Sequence, residues 1–516
     1  MLKHLSVGSI KCFCQFLNHN KNTFINKNKD KQSKILVEYN ALCDSHIIYS
    51  YLTNELAKKY KSEIHSYDRK IENNFYEKIK SLIKNFYYFS YRNIYKSFGV
   101  INHITPKKIN NENTKNLKNV IFNSINSKKD IFNISIEDVK IGDLIYDGYL
   151  RKFNLPTIDI KSTTFKNYLS DVIDLFCFWA QYFEDNIVKA IVLSHTVYEF
   201  GIVLRIATKK KIKAFSAGSF FIFSHDENNQ TIFDMKYYKT EFKKYPKELQ
   251  KRFIDYAADE LKKKFDGKKT IENKVSALPA DSPFAKKKYN KNVLSKNNKK
   301  KILIAAHHFS DAPNVYGNFI FNDFYEWIDF LGKKSENSDY EWYIKFHPME
   351  YDSNKKTSDY FLNKYKNLQL INKDITHGQL ISEGINLVLT VYGTIGLEYA
   401  YFGIPVINAA NKNPHIAYDF NYHANSIEDY DKAIDNFDNL NISYNRECIK
   451  EYFFMRYLNS FYLFSDELKD NNNFINYQSP EVYNKWLKSL NSQVEKDLKN
   501  KIIEFIDSKK FRCVKY

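Results

Sequence analysis

The sequence has no run of about 18 uncharged apolar residues, although 43% of its 516 residues are hydrophobic. A helix that crosses a bilayer needs about 20 predominantly apolar residues, so no membrane-spanning segment is expected. The N-terminal stretch MLKHLSVGSIKCFCQFLNHN also lacks a long apolar run and a small-residue cleavage site, which argues against a secretory signal. We therefore expect a cytoplasmic protein.

Cysteine is scarce and scattered. None of the six cysteines forms a CxxC pair or lies beside a histidine at metal-ligand spacing. Their positions are Cys12, Cys14, Cys43, Cys177, Cys448 and Cys513. This pattern indicates reduced thiols, so we predict no metal site and no cofactor.

The formal charge of +18 is not accompanied by sequence signals of nucleic-acid binding. There is no zinc-finger spacing, no RNP-like aromatic sequence and no helix-turn-helix signal, so no nucleic-acid partner is expected. Attachment to an anionic membrane surface fits the charge better, because each basic group near such a surface contributes ~1 kcal/mol. The lysine-rich stretch 286–301 would serve for that contact, and a solvated linker explains it equally well.

The most informative segment is NLVLTVYGTIGLEYAYFGIPVIN, at 386–408. Its apolar run 387–391 predicts a strand buried on both faces. Gly393 frees the backbone, and Thr394 is placed to cap a helix over 395–402. The following Gly and Pro end that helix before a second strand at 406–408.

A helix that opens at the carboxyl end of a parallel strand directs unpaired N–H groups at the crevice. We therefore predict a phosphate site formed by Tyr392, Gly393 and Thr394. Glu398 lies one helical turn after Thr394, so it is predicted to face the same crevice and to accept hydrogen bonds from a ribose. The alternative is an ordinary βαβ unit in which Gly393 and Thr394 only make a turn.

A second polar cluster follows the strand YEWYIKF at 340–346. Lys345 and His347 stand near the carboxyl end of that strand, and Pro348 ends it because proline has no backbone donor. One lysine and one histidine beside a helix N-terminus suit a diphosphate or phosphodiester, and His347 could protonate a leaving phosphate. The alternative is a hydrogen-bonded core histidine.

These segments resemble a known family. KFHPME followed by TVYGTIGLEYAYFGIPVI resembles the donor half of GT-B glycosyltransferases, in particular bacterial capsule and surface-polysaccharide biosynthesis proteins. Further matching segments are IGDLIYDGYLR at 141–151, LSHTVYEFGIVLRIA at 193–207 and HHFSDAPNVYGNFIFNDFYEWI at 307–328. The resemblance spans 34–425. It implies an α/β fold with two Rossmann-like domains facing a cleft, followed by C-terminal helices.

Length and composition suit this architecture, because 516 residues exceed what one hydrophobic core usually holds. We predict a poorly ordered N-terminal extension at 1–33 and an acceptor-side Rossmann-like domain at 34–261. A linker at 262–300 leads to a nucleotide-sugar donor domain at 301–430. A helical extension at 431–516 is expected to pack back across the cleft.

The residue that activates the acceptor hydroxyl is expected from the first domain. His195 follows the apolar strand 190–194, and its position at the carboxyl end predicts that it faces the cleft. Asp147 and Asp143 are alternatives. Asp311, in the loop after the strand KILIAA, is a fourth candidate on the opposite wall.

The resemblance implies a glycosyltransferase that uses a nucleotide-activated donor and a surface glycan acceptor, either a capsule glycan or a lipid-linked one. The protein would then work in the cytoplasm or at the inner face of the cytoplasmic membrane. Three alternatives remain open: a CDP-polyol phosphotransferase of the same fold, a nucleotide-sugar epimerase, and a non-catalytic capsule-assembly protein. The donor is not specified, since the matching segments recur in enzymes using CMP-, UDP- or CDP-linked donors.

Overall fold

The computed structural model describes residues 7–24, 32–71, 90–270, 283–284, 292–347, 352–464 and 479–516. Most of its strands lie in two six-stranded sheets. Pro348, the predicted end of one strand, lies outside the described residues.

The strands are β1 (Ser33–Glu38), β2 (Glu63–Tyr67), β3 (Val100–Ile104), β4 (Ser135–Ile136), β5 (Val139–Lys140), β6 (Ile187–Leu193), β7 (Lys213–Gly218), β8 (Phe221–His225), β9 (Lys301–Ala305), β10 (Glu341–Lys345), β11 (Leu368–Leu370), β12 (Leu387–Thr390), β13 (Val406–Asn408) and β14 (Tyr422–His423).

The α-helices are α1 (Val7–Thr23), α2 (Cys43–Tyr60), α3 (Tyr91–Ser97), α4 (Glu112–Ser124), α5 (Lys128–Ile131), α6 (Gly142–Phe153), α7 (Thr163–Asp185), α8 (Ile202–Lys209), α9 (Tyr238–Phe242), α10 (Lys247–Phe265), α11 (Phe324–Glu336), α12 (Asp352–Lys364), α13 (His377–Ser382), α14 (Ile395–Tyr401), α15 (Ile427–Asp435), α16 (Arg446–Phe453), α17 (Glu481–Ser489) and α18 (Ser492–Asp507). A π-helical turn, Phe454–Leu458, continues α16.

Both large sheets have the same connectivity. Their strand orders are β3-β2-β1-β6-β7-β8 and β11-β10-β9-β12-β13-β14. Numbered within its own domain, each sheet reads 3-2-1-4-5-6, which is the Rossmann order. The strands pair in parallel except for β7 and β8, which form an antiparallel edge. The predicted fold class, with two Rossmann-like domains and C-terminal helices, is confirmed.

Side chains of the first sheet alternate between two helical layers, because successive residues of a strand point to opposite faces. Ile35 and Val37 of β1 pack in one layer with residues of α1, α2, α17 and α18. Leu36 packs in the other layer with residues of α6, α7 and α8. Burial on both faces explains why these strands are almost continuously apolar.

The second sheet is covered in the same way. Ile302 and Ile304 of β9 pack with residues of α11, α12 and α15. Leu303 packs on the opposite face with residues of α13 and α14.

The N-terminal segment departs from the prediction of a poorly ordered extension over 1–33. Within it, Val7–Thr23 forms α1, and Phe13, Phe16 and Leu17 are buried in the first core. The stretch is too polar to be recognised as a core helix, because its buried side includes Ser9 and Asn20, which donate hydrogen bonds to Glu481 of α17 and Ser97 of α3.

The predicted boundaries at 262, 300 and 430 also need adjustment. Helix α10 continues to Phe265, past the predicted start of the linker. Within the predicted linker, Phe284 is buried and packs against Phe265 and Phe402. Helix α15 crosses position 430 and belongs to the second core, whereas α17 and α18 belong to the first. Within the described ranges, no helix is both long and apolar enough to cross a bilayer.

Candidate functional site

The carboxyl edges of the two sheets meet through side chains of α6 and of the loop after β9. Tyr146 donates to Asp323 Oδ2 at 2.6 Å, and Ser310 donates to Asn154 Oδ1 at 2.8 Å. Farther along the edge, the Tyr198 hydroxyl donates to Asp311 Oδ1 at 3.1 Å. The loops that follow the strands of both domains therefore border one cleft, where open α/β sheets bind ligands.

A cavity of about 450 Å³ opens on the first-domain side of the cleft. Its wall combines aromatic rings with charged groups of both signs. The lining residues are Tyr39, Asp68, Arg69, Lys70, Gly148, Arg151, Lys152, Tyr198, Glu199 and Phe200. The aromatic faces can contact the apolar face of a sugar, and the guanidinium and ammonium groups can bind anionic groups.

A second cavity, of about 430 Å³, lies at the carboxyl ends of β10 and β11. Phe309 and Phe346 supply aromatic surface, whereas His347, Lys355 and Lys373 supply polar groups that can carry charge. Each domain thus has its own concave site beside the shared cleft.

His195 lies where the sequence predicts it, immediately after β6 at the cleft. Its ring is solvent-accessible, and Nδ1 is 2.6 Å from Ser194 Oγ. The protein surrounding the ring lowers the pKa of His195 below its usual range. A neutral imidazole at this position can accept a proton.

Asp311 stands on the opposite wall of the cleft. Its carboxylate is exposed and accepts hydrogen bonds from Tyr198 and from the Ala312 backbone N–H at 3.0 Å. Its proposed role as a proton acceptor stays a prediction.

The other two carboxylates are engaged in structural contacts. Asp147 is 3% exposed, and its oxygens accept hydrogen bonds from the Asn314 backbone N–H at 3.1 Å and side-chain amide at 2.8 Å. Burial raises the pKa of Asp147 well above its usual range. Asp143 forms a bidentate ion pair with Arg205, whose two terminal guanidinium nitrogens lie 2.6 and 2.5 Å from the Asp143 oxygens. Asp147 therefore joins the domains instead of facing the acceptor.

His347 is exposed and lines the second cavity. Its ring centroid lies 6.5 Å from that of His308, which is buried. Desolvation by the surrounding protein lowers the pKa of His347, and the charge of Asp311 opposes this shift. The position suits the predicted contact with a leaving phosphate and disagrees with the alternative of a core histidine.

Lys345 does not direct its ammonium group into the cleft as predicted. Nζ lies 2.9 to 3.1 Å from the carbonyl oxygens of Asn372, Lys373 and Ile375. An ammonium group has three N–H donors, so these contacts satisfy all of them. Lys345 therefore fixes the β11–α13 loop, which forms part of the second cavity.

The prediction for the segment at the start of α14 also needs correction. Thr394 is exposed, has helical backbone angles and makes no capping hydrogen bond. The helix spans only seven residues. The backbone of Gly393 does not adopt a positive φ, and a Cβ there would lie 3.0 Å from Thr390 Oγ1, so a side chain would require a small shift of Thr390.

Glu398 does not face the crevice. It is 2% exposed and pairs with Lys264 of α10 at 2.8 Å. The contact joins α14 to the helix that precedes the predicted linker. A ribose therefore has no access to this carboxylate.

His307 and Tyr392 shape the loop after β12. His307 Nε2 accepts from the backbone N–H groups of Val391 and Tyr392 at 3.4 and 3.5 Å, and its ring lies 4.5 Å from the Tyr392 ring. Burial lowers the pKa of His307 to about 3, which keeps Nε2 available as an acceptor. The Tyr392 hydroxyl donates to the Ala312 carbonyl at 2.8 Å, so Tyr392 has a structural contact beside its predicted donor role.

Sequence reasoning missed the charged wall of the first cavity. Arg69 pairs with buried Glu38 at 2.8 Å and lies over the Phe200 ring at 4.7 Å. Arg151 is exposed at the end of α6. The sequence signal that could have identified this wall is the final arginine of IGDLIYDGYLR. It follows the apolar face of an amphipathic helix, and that face packs in the core. Among the described residues, no group of three His, Cys, Asp or Glu side chains is placed to hold a metal ion.

Comparison with known proteins gives structural similarity only. No protein-family model matches the sequence. No curated protein matches it either.

Several solved structures are matched by this chain at low identity. The Neisseria meningitidis UDP-GlcNAc 2-epimerase bound to UDP-GlcNAc is 10% identical, with 89% of this chain and 100% of that chain covered and a TM-score of 0.22. A glycosyltransferase from Rickettsia africae is 11% identical, with 89% and 100% covered and a TM-score of 0.25. Thermosulfurimonas dismutans KpsC, a beta Kdo 2,7 transferase, is 14% identical, with 66% and 94% covered and a TM-score of 0.33. Because all three TM-scores are below 0.5, the fold assignment rests on the strand order of the two sheets.

Proposed function

We propose that this protein is a glycosyltransferase that moves a sugar from a nucleotide-activated donor to a glycan acceptor. The observation that carries the proposal is the pair of cavities, one beside the carboxyl edge of each Rossmann-like sheet. Tyr198 of the first cavity and Asp311 are hydrogen-bonded across the cleft between them. Two adjoining sites suit a reaction between two bound substrates.

The donor would occupy the second cavity. Phe309 and Phe346 offer rings for the base, and Lys355 and Lys373 offer cations for the phosphates. His347 would give a proton to the phosphate oxygen as it leaves. This arrangement replaces the direct phosphate contact predicted for Lys345, whose donors are used by carbonyls.

The acceptor would occupy the first cavity, with His195 as the base; the His195 ring packs against Phe200 of the cavity wall. In an inverting reaction the acceptor oxygen bonds to the anomeric carbon while the bond from that carbon to the donor phosphate oxygen breaks. The acceptor proton passes to His195, and the electron pair of the broken bond leaves with the nucleotide. The sequence resemblance supports a surface or lipid-linked glycan as the acceptor, used at the inner face of the cytoplasmic membrane.

The first cavity favours a transferase over an epimerase, because an epimerase needs no second substrate. A CDP-polyol phosphotransferase remains compatible with both cavities. A non-catalytic assembly protein would not need His195 at the cleft and His347 in the wall of the second cavity.

The test is to incubate the purified protein with CMP-, UDP-, GDP- and CDP-linked donors and to measure released nucleotide with and without glycan acceptors. Acceptor-dependent release and a lengthened glycan support the proposal. Conversion of the donor sugar without an acceptor would indicate an epimerase. Transfer of a phosphate together with a polyol would indicate the phosphotransferase, and no consumption of any donor would favour the assembly role.

A further inference from the structure

Glu38 and Ser194 meet at the point of the first sheet where the strand order reverses. Glu38 is the last residue of β1, and Ser194 directly follows the neighbouring strand β6. Both side chains are buried, at 1% and 4% exposure. His195, the next residue, is exposed to the cleft.

The Glu38 side chain accepts four hydrogen bonds. Ser194 donates its backbone N–H to Oε2 at 3.0 Å and its hydroxyl to Oε1 at 2.7 Å. Arg69 and Asn40 donate to Oε1 at 2.8 and 3.1 Å. An ionised carboxyl group only accepts, and all four of these groups are donors.

These contacts also determine which nitrogen of His195 carries a proton. A serine hydroxyl has one hydrogen, and Ser194 gives it to Glu38. At 2.6 Å from His195 Nδ1, Ser194 Oγ must therefore be the acceptor, and Nδ1 must carry the N–H. Nε2 is then the basic nitrogen of the neutral ring.

We propose that Glu38 and Ser194 are positioning residues that hold His195 as a neutral base with Nε2 available to the acceptor hydroxyl. The inference rests on the proposed transferase function and adds a relay from Glu38 through Ser194 to His195. As the acceptor oxygen bonds to the anomeric carbon, its proton moves to Nε2. The resulting imidazolium keeps its Nδ1–H on Ser194, and the nearby carboxylate stabilises the new charge.

Other groups around His195 support the neutral resting state. Desolvation by the surrounding protein lowers the pKa of His195, and the positive charges of Arg69 and Arg151 lower it further. Glu38 acts in the opposite direction. Phe200 contacts the ring edge-on, with centroids 6.3 Å apart. These charges come from β1, the loop after β2 and α6, so the balance depends on all three elements.

The relay is tested in the full-length protein by NMR of labelled histidine, with the His195 signal assigned by its loss in His195→Gln. The wild-type ring is expected as the Nδ1–H tautomer. Ser194→Ala should shift it towards the Nε2–H tautomer, and Ser194→Thr, which keeps the hydroxyl, should restore it. A wild-type ring in the Nε2–H form, or a tautomer unchanged by Ser194→Ala, would overturn the proposal.

Turnover gives the second readout. Ser194→Ala should lower kcat by about 10- to 100-fold with little change in the donor KM, because the donor binds the other domain. Glu38→Gln removes the charge that raises the His195 pKa. The limb of the pH profile in which the rate rises with pH should therefore move to lower pH. Ser194→Ala carries the test if Glu38→Gln fails to fold. A wild-type kcat in folded Ser194→Ala would overturn the catalytic role.

The two proposals fail separately. If no donor is consumed, the transferase function is refuted, whereas the tautomer measurement still decides whether the relay exists. If transfer occurs but the tautomer is wrong, only the relay is refuted.

Discussion

His347 is the residue whose predicted and observed positions agree best with a chemical role. His347→Ala should lower kcat by at least ~10²-fold, which is typical for loss of a general acid. The fold should persist, because the side chain is exposed. Matched Lys355→Ala, in the same cavity, should instead raise the donor KM with little effect on kcat.

The pH dependence has a defined sign. Desolvation by the surrounding protein lowers the pKa of His347, so its protonated fraction declines as pH rises through the region below its usual value. A step that needs protonated His347 should therefore slow with rising pH, and His347→Ala should lose this dependence. An unchanged turnover number in the variant would remove His347 from the mechanism.

At single residues, the sequence predicts location better than contact. His195 and His347 reach the cleft because strand ends determine their positions. Lys345 and Glu398 lie on the predicted elements. However, Lys345 donates to carbonyls of another loop, and Glu398 pairs with Lys264 of another helix. The same holds for Glu38 and Ser194, which are 156 residues apart. Local periodicity contains no information about such distant partners.

At the scale of the element, Thr394 and Thr376 make a matched pair. Thr376 Oγ1 accepts from the Gln379 backbone N–H at 3.2 Å at the start of α13, whereas Thr394 caps nothing at α14. Thr376→Val should therefore cost about 1 kcal/mol of unfolding free energy, and Thr394→Val should cost almost none.

Donor binding separates the two roles of Thr394. If its exposed hydroxyl meets a phosphate, Thr394→Val should weaken donor binding by ~1 to 3 kcal/mol in calorimetry. Equal affinity in wild type and variant would show that the hydroxyl makes no donor contact. A lower melting temperature for Thr394→Val would contradict the absence of a cap.

The Glu398–Lys264 pair connects α14 to α10 through two almost fully buried charges. Glu398→Ala should destabilise the protein by roughly 3 to 5 kcal/mol, because it removes one partner of an almost fully buried ion pair. The double variant Glu398→Leu with Lys264→Met should recover most of that loss, measured by urea unfolding. Loss of donor affinity in the stable double variant would instead indicate that Glu398 contacts the donor.

Elements themselves were largely predictable. The strands predicted at 301–306, 340–346 and 387–391 are β9, β10 and β12, and each end differs by at most one residue. Each is a short apolar run buried on both faces. Helix α1 was missed because its buried side chains form a narrow stripe among polar residues, and the helices that contact it, α3 and α17, are distant from it in sequence.

For the whole molecule, the chain crosses between domains more than once. It leaves the first sheet after α10, builds the second sheet, and returns to cover the first core with α17 and α18. A fragment beginning near Asn297 would therefore carry Val482 and Trp486 without the surface that buries them. Such a fragment is expected to aggregate unless it ends before α17.

Two buried tryptophans test this organisation in the intact protein. Trp486→Ala creates a cavity in the first core, and Trp327→Ala creates one in the second. Either change should lower the free energy of unfolding by roughly 3 to 5 kcal/mol. Nucleotide should bind Trp486→Ala with wild-type affinity, because the second cavity is built by the other domain. In calorimetric unfolding, Trp486→Ala should lower the melting temperature of a transition that nucleotide leaves unchanged. Trp327→Ala should lower the melting temperature of the transition that nucleotide raises. If both variants lower one common transition, the two sheets unfold as a single unit, held together by contacts such as Asp147 with Asn314 and Glu398 with Lys264.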